Sequence, residues 1–223
     1  MSARVATTLA LCAAAAGACA STSQPAAGPP VPQLAAEALR ATTPARPLHL
    51  VFAWNLEEPD GRFSGKGATR LEPPGRARLD LFGPRGEAYL SAAMVDMDLR
   101  LPPGVEDVPL PPAALLWAAL GIFRPPVGAE LIGSSAEEAI VRLDYARGEE
   151  KWVFRLEGGA LRYAEWVGPG DGKRTVELSG TAEHGLPRSA RYRDWPAFRS
   201  LTLTLNEVQE TDGFPADTWT IGR

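Results

Sequence analysis

Leu48-His49-Leu50-Val51-Phe52-Ala53-Trp54-Asn55-Leu56 decides the fold. Every even-numbered position in it carries a large apolar side chain. Alternation with period two gives a strand one buried face and one solvated face, as in antiparallel sheets. Outward from this stretch the pattern repeats. Arg76 to Leu81 sends Leu79 and Leu81 one way and Arg78 and Asp80 the other, and Leu201 to Val208 begins as leucine alternating with threonine. Glu87 to Val95, Met97 to Leu101, Ala139 to Tyr145, Lys151 to Leu156, Leu161 to Val167 and Thr175 to Gly180 are further strands by the same criterion. Turn signals separate them at short spacing: Pro59-Asp60-Gly61, Pro73-Pro74-Gly75, Gly83-Pro84-Arg85-Gly86, Gly158-Gly159 and Gly168-Pro169-Gly170-Asp171-Gly172. The expectation is one meandering sheet of about nine to eleven strands.

Two helices stand beside this sheet. Val31 to Thr42, entered at Pro32, carries Leu34, Ala38 and Leu39 on one side. Ala113 to Phe123 lies between Pro111-Pro112 and Pro125-Pro126 and has no polar residue on any face, so it must be covered all round. Each helix is only about 16 Å long at 1.5 Å per residue. Two such rods cannot hide the apolar face of some ten strands. The sheet is therefore expected to curl into a mainly-β antiparallel half-barrel, with the helices as lid or plug. A barrel left incompletely filled has an apolar cavity, and apolar cavities hold apolar ligands. The residues expected to line it are Phe52, Trp54, Leu79, Leu81, Leu90, Leu116, Trp117, Leu120, Phe154 and Leu203. A closed sandwich whose aliphatic faces are simply core is the competing expectation.

Composition narrows the function classes. The chain has 223 residues, a net charge of −4, 45% apolar and 22% charged residues, enough to bury one core. An acidic balance opposes binding to nucleic acid, whose affinity comes from clustered Lys and Arg on phosphates. Catalytic constellations are missing. There is no Gly-x-Ser-x-Gly elbow and no His-Glu-x-x-His, and Gly168 to Lys173 lacks the ends of a P-loop. His49 and His184, the only histidines, have no second metal ligand at useful spacing. Glu57-Glu58 and Glu137-Glu138 are adjacent acids that point apart, while Asp96 and Asp98 are placed on one polar strand face. No catalysis, metal or cofactor is expected.

The first residues are an address. Arg4 followed by the apolar run Val5 to Ala16 reads as a signal peptide over residues 1–18, too short to span a bilayer. Ala16-Gly17-Ala18-Cys19 resembles a bacterial lipobox, with alanine where leucine is commonest, which implies acylation of Cys19. An ordinary secretory cleavage leaving a free thiol is the alternative. Cys12 leaves with the signal, so no disulfide is expected. Several acyl chains on Cys19 hold a protein stably, at about 0.8 kcal/mol per buried methylene. Residues 19–32, rich in Ser, Thr, Pro, Ala and Gly, form a tether, and 33–223 the folded domain. The absence of aspartate after Cys19 points to the outer membrane by the sorting rule of well-studied envelopes.

Several stretches together resemble the LolA and LolB superfamily, the periplasmic carrier and outer-membrane receptor of lipoproteins. Ala77-Arg78-Leu79-Asp80-Leu81-Phe82-Gly83-Pro84-Arg85-Gly86-Glu87-Ala88 is similar to a receptor-branch strand ending in a Pro-x-Gly turn. Phe63-Ser64-Gly65-Lys66-Gly67 fits the preceding hairpin. Leu110 to Pro126, with Trp117 and Gly121, looks like that branch's helix, and Leu201 to Val208 with Phe214-Pro215 looks like the final strands. The resemblance implies an envelope lipoprotein that binds acyl chains such as palmitate, of lipids or other lipoproteins, for transport or membrane insertion. A monomer is expected, lipid-anchored on the periplasmic face of the outer membrane, with a periplasmic carrier protein among the implied partners. Arg70 and Arg100 are the positions considered for the carrier branch's cavity arginine. A structural or assembly lipoprotein, docking a partner protein through a sheet edge or apolar patch, is the second expectation.

Overall fold

A computed structural model describes residues 27–104 and 110–221. The signal segment, Cys19 and the tether up to residue 26 lie outside the described residues. Helix α1 (Pro32–Thr42) leads into β1 (Leu48–Glu58), β2 (Gly61–Glu72), β3 (Arg76–Phe82), β4 (Ala88–Val95) and the short β5 (Asp98–Arg100). Helix α2 (Ala113–Ala119) follows, then β6 (Glu130–Glu137), β7 (Ile140–Arg147), β8 (Glu150–Glu157), β9 (Ala160–Val167), β10 (Lys173–Ser179), β11 (Ser189–Asp194) and β12 (Arg199–Glu210). All strands join in one sheet of order β5-β4-β3-β2-β1-β12-β11-β10-β9-β8-β7-β6, with every described pairing antiparallel.

The sheet is open and curled. Its outer strands β5 and β6 do not pair with each other. From β4 to β10 are six steps of about 4.8 Å, so a flat sheet would hold those strands about 29 Å apart. Yet α2, a rod of about 10 Å, packs on β9, β10 and β11 while its Trp117 Nε1 donates to Asp96 O in the β4–β5 turn at 2.6 Å. Only a sheet wrapped around the helix satisfies both contacts. Register irregularities at Val51/Phe52, Leu81/Phe82, Leu131/Gly133 and Arg155/Leu156 supply the extra local twist. The half-barrel expected from the imbalance of strand and helix surface is thus the observed architecture, with twelve strands where nine to eleven were counted.

Alternation holds through β1 and, in β12, as far as Leu205, beyond which the register with β1 shifts and Asn206 and Glu207 are both exposed. Leu48, Leu50, Phe52, Trp54 and Leu56 are buried, as are Leu201, Leu203 and Leu205 opposite them. Strands β2, β6 and β11 lack the run of large apolar residues that marks the others, because glycine, serine and arginine occupy their sequences. In β2, Gly65 is required by a close approach: a Cβ there would sit 1.9 Å from Phe82 O. That crowding lets Trp54 Nε1 donate to both Lys66 O and Phe82 O at 3.0 Å.

Two local expectations are corrected. Helix α2 stops at Ala119 instead of reaching Phe123, because Gly121 takes φ +83 and ends it, with its N–H donated to Ala118 O. Asp96 and Asp98 do not share a strand face, since Asp96 sits in the β4–β5 turn with φ +55.

On the convex face Asp80 is buried beneath the turn Ala216–Trp219. It accepts from Arg70 Nη1 at 2.7 Å, Arg78 Nε at 3.1 Å and Ser91 Oγ at 2.7 Å, while Arg78 Nη1 donates to Thr218 O. Asp80→Ala strands both arginines. Because they keep part of their hydration, the expected cost is about 2 kcal/mol, less than the roughly 3–5 of a fully buried pair. A urea midpoint measured at low and high salt checks it, and the loss should shrink at high salt.

Candidate functional site

The concave side of the sheet and α2 form the candidate site. All ten expected lining residues lie there. Phe52, Trp54, Leu79, Leu81, Leu90, Leu116, Trp117, Leu120, Phe154 and Leu203 are buried in one continuous apolar cluster. The walls come from β1, β3, β4, β8 and β12, and the centre is α2. Every residue from Ala114 to Leu120 is buried.

The space itself differs from expectation. Between α2 and the wall, bounded by Phe52, Ala119, Leu120, Ala190, Leu203 and Leu205, the void measures about 30 Å³. That volume admits a water or two and no hydrocarbon tail. The surplus of apolar strand surface is covered by the helix lying along the half-barrel, and by Ile122 and Phe123 beyond it. Phe123 sits edge-on to Phe154 with ring centroids 5.0 Å apart, and Tyr145 completes this aromatic group.

The plug is held mainly by apolar contact. Besides Trp117 Nε1 to Asp96 O, its segment takes one side-chain anchor from α1: Phe123 N donates to Thr42 Oγ1 at 3.0 Å, and that hydroxyl donates to Ala38 O. Arg124 stacks on Trp117 at 4.8 Å with its Nε buried and lacking an acceptor. Burial lowers the Arg124 pKa from its ordinary value, and nearby Asp96 counters this in part. A helix of seven residues, with no capping side chain at its N-cap Pro112, has little stability of its own. It stays in place because the sheet buries it.

Arg70 and Arg100, considered for a cavity arginine, do not face this interior. Arg70 is on the convex side with Asp80, and Arg100 Nε pairs with Asp98 at 2.8 Å on the edge strand. The two sheet edges are partly covered. One edge, β5, has three residues, and the other, β6, is bridged by Gly28, which exchanges backbone hydrogen bonds with Ser134. Ser134 Oγ also accepts from Val31 N and donates to Pro29 O, so residues 28–31 lie fastened along β6. Among the described residues no cluster of three His, Cys, Asp or Glu could hold a metal ion.

Near the start of α2 lies a groove of about 350 Å³. Trp152 and Trp166 face it, their rings 6.1 Å apart, with Met97, Pro112 and Pro126 across from them. Sequence reasoning did not single it out, since its walls come from six separate segments.

No family model matches the chain, and no curated protein does. Solved structures do. A LolA superfamily protein of Nitrosomonas europaea aligns over 86% of this chain and 98% of its own, with TM-score 0.58 and 13% identity. An outer membrane lipoprotein-sorting protein domain of Vibrio parahaemolyticus aligns over 84% and 95%, with TM-score 0.56 and 11% identity. A DUF1329 family protein of Desulfovibrio piger aligns over 86% and 98%, with TM-score 0.50 and 9% identity. At such identities the likeness is one of fold.

Proposed function

We propose, for this chain of the LolA-superfamily fold, that it binds acyl chains on the concave face of its sheet by displacing α2, and that it performs no chemistry on them. The observation that carries the reading is the plug itself: a short helix, apolar on every side, filling the half-barrel with few polar anchors.

Magnitudes favour exchange over permanent closure. Exposing the six large side chains of the plug segment, from Leu115 to Phe123, costs about 9–18 kcal/mol at roughly 1.5–3 each. Burying one palmitoyl chain returns about 12 kcal/mol at 0.8 per methylene. One chain roughly balances the plug and two exceed it. A near-balance of this kind lets a carrier load and then release to an acceptor of slightly higher affinity. The walls that receive the chain are Phe52, Trp54, Leu79, Leu81, Leu90, Phe154 and Leu203, while Leu116, Trp117 and Leu120 give way.

The function fits a lipoprotein of the bacterial envelope, acylated at Cys19 after removal of residues 1–18 and facing the periplasm, its tether shorter than the expected 19–32 because residues 28–31 are fastened along β6 and Pro32 opens α1. Anchoring to the outer membrane, a monomeric state and exchange with a periplasmic carrier protein belong to the same proposal. The alternative is a structural or assembly lipoprotein that docks a partner protein through a sheet edge or apolar patch; one edge is short at β5 and the other is bridged at Gly28. Titration of the purified protein with a fluorescent fatty acid tests the reading. Saturable binding near one or two probes per chain, displaced by unlabelled palmitate, is expected. Absence of displaceable binding at micromolar protein leaves α2 as ordinary core.

A further inference from the structure

We infer that the groove at the start of α2 receives the ester carbonyl of an acylated molecule, and so orients the chain with its polar end there and its tail along the half-barrel. This rests on the acyl-binding reading and adds the chemical class of the cargo: ester-linked chains in preference to ether-linked chains.

Position is the first ground. Pro112, Ala113 and Ala114 form one wall of the groove, so it is continuous with the space that α2 vacates. A chain replacing the helix has its end at this opening.

Chemistry is the second. Trp152 is 3% exposed, yet its indole N–H has no acceptor. A buried donor left unpaired costs free energy, and native structures seldom keep one without a reason. Here it belongs to a residue lining a groove with room for a ligand. The charges beside it are already compensated. Arg174 Nε pairs with Asp194 at 2.8 Å while its guanidinium stacks on Trp166, and Arg147 Nη2 pairs with Glu150 at 2.7 Å. With both arginines neutralised and Glu150 present, the groove offers a carboxylate no free cation. What its walls hold is one N–H, closed off from water while α2 is seated, together with two indoles, Met97 and prolines, the surroundings that suit a neutral carbonyl with apolar neighbours once the helix gives way. Ester-linked chains occur on glycerolipids and on acylated proteins, and the carbonyl is common to both.

Competition against a bound fluorescent fatty acid tests this, comparing monopalmitoyl glycerol with the hexadecyl glycerol ether that lacks only the carbonyl. The wild type is expected to prefer the ester about fivefold, the worth of one net hydrogen bond of about 1 kcal/mol. Trp152→Phe keeps an aromatic ring and removes an N–H that bonds to nothing in the free protein. It should melt somewhat below wild type, because a buried indole is cut back to a phenyl ring, and lose the preference, ester and ether then competing equally whatever their common affinity. A diacylglyceryl-cysteine peptide beside a diacylglycerol separates the two sources: the source that competes at lower concentration is the cargo, and both should lose affinity in Trp152→Phe. Equal competition by ester and ether, or a preference that survives Trp152→Phe, overturns the inference while acyl binding stands. If neither lipid displaces the probe, acyl binding falls and takes this inference with it.

Discussion

Trp117→Ala is expected to lower the stability of the protein by about 3–5 kcal/mol and, at the same time, to tighten its binding of acyl chains. Both effects come from one side chain. Trp117 is fully buried at the centre of α2, carries Arg124 on its ring and donates to Asp96 O across the opening of the half-barrel. Truncation leaves a cavity and removes that latch, hence the loss of stability. Binding moves the other way because the apparent dissociation constant is the intrinsic one divided by the fraction of molecules with the plug displaced. Each 1.4 kcal/mol by which the filled state is weakened relative to the displaced one raises affinity tenfold, until the displaced state predominates. Calorimetric melting and titration of one preparation read both quantities. A variant that is less stable and also binds more weakly identifies Trp117 as part of the wall, not the plug.

Gly65→Ala carries the second largest effect, and its origin is in the backbone. A methyl group at this position meets Phe82 O at 1.9 Å, its carbonyl carbon at 3.0 Å and Trp54 Nε1 at 3.1 Å. A flexible side chain could swing away from such a contact, but a carbonyl within paired strands cannot. Either β2 and β3 separate locally, or Trp54 loses its two acceptors on Lys66 and Phe82 and leaves a buried N–H unpaired. The expected cost is about 3 kcal/mol, at the upper end for overpacking. A chemical-denaturation midpoint checks it, and a change below about 0.5 kcal/mol would mean that the strands yield there without strain. Trp54 belongs to the proposed acyl-binding wall, so the variant should also bind probe more weakly, the opposite of Trp117→Ala.

The sequence announced some of this architecture plainly and concealed the rest for physical reasons. In β1 and the first part of β12 one face is core, so large apolar residues alternate visibly with smaller or polar ones, leucine with threonine in β12. In β2 the strand must pass close to Phe82 and uses glycine, which erases the alternation. β6 lies at the sheet edge and reads Gly133-Ser134-Ser135 where it is fastened to residues 28–31. β11 alternates buried Ala190 and Tyr192 with Arg191 and Arg193, too polar a run to stand out.

The candidate site divides similarly. Its ten apolar residues follow from strand faces and an all-apolar helix, and the fold gathers them into one cluster. That the helix fills the space instead of leaving it open depends on volumes, which residue order does not encode. The unpaired N–H of Trp152 and the stacking of Arg124 on Trp117 are contacts between distant segments, invisible until the sheet has curled.

Amide hydrogen exchange of the helix Ala113–Ala119, measured with and without saturating palmitoyl lipid, tests the displaced plug most directly. The account predicts that ligand removes protection from Leu116, Trp117 and their neighbours while adding it to β1, β8 and β12. Protection of this helix that stays unchanged or increases while lipid is demonstrably bound would contradict it.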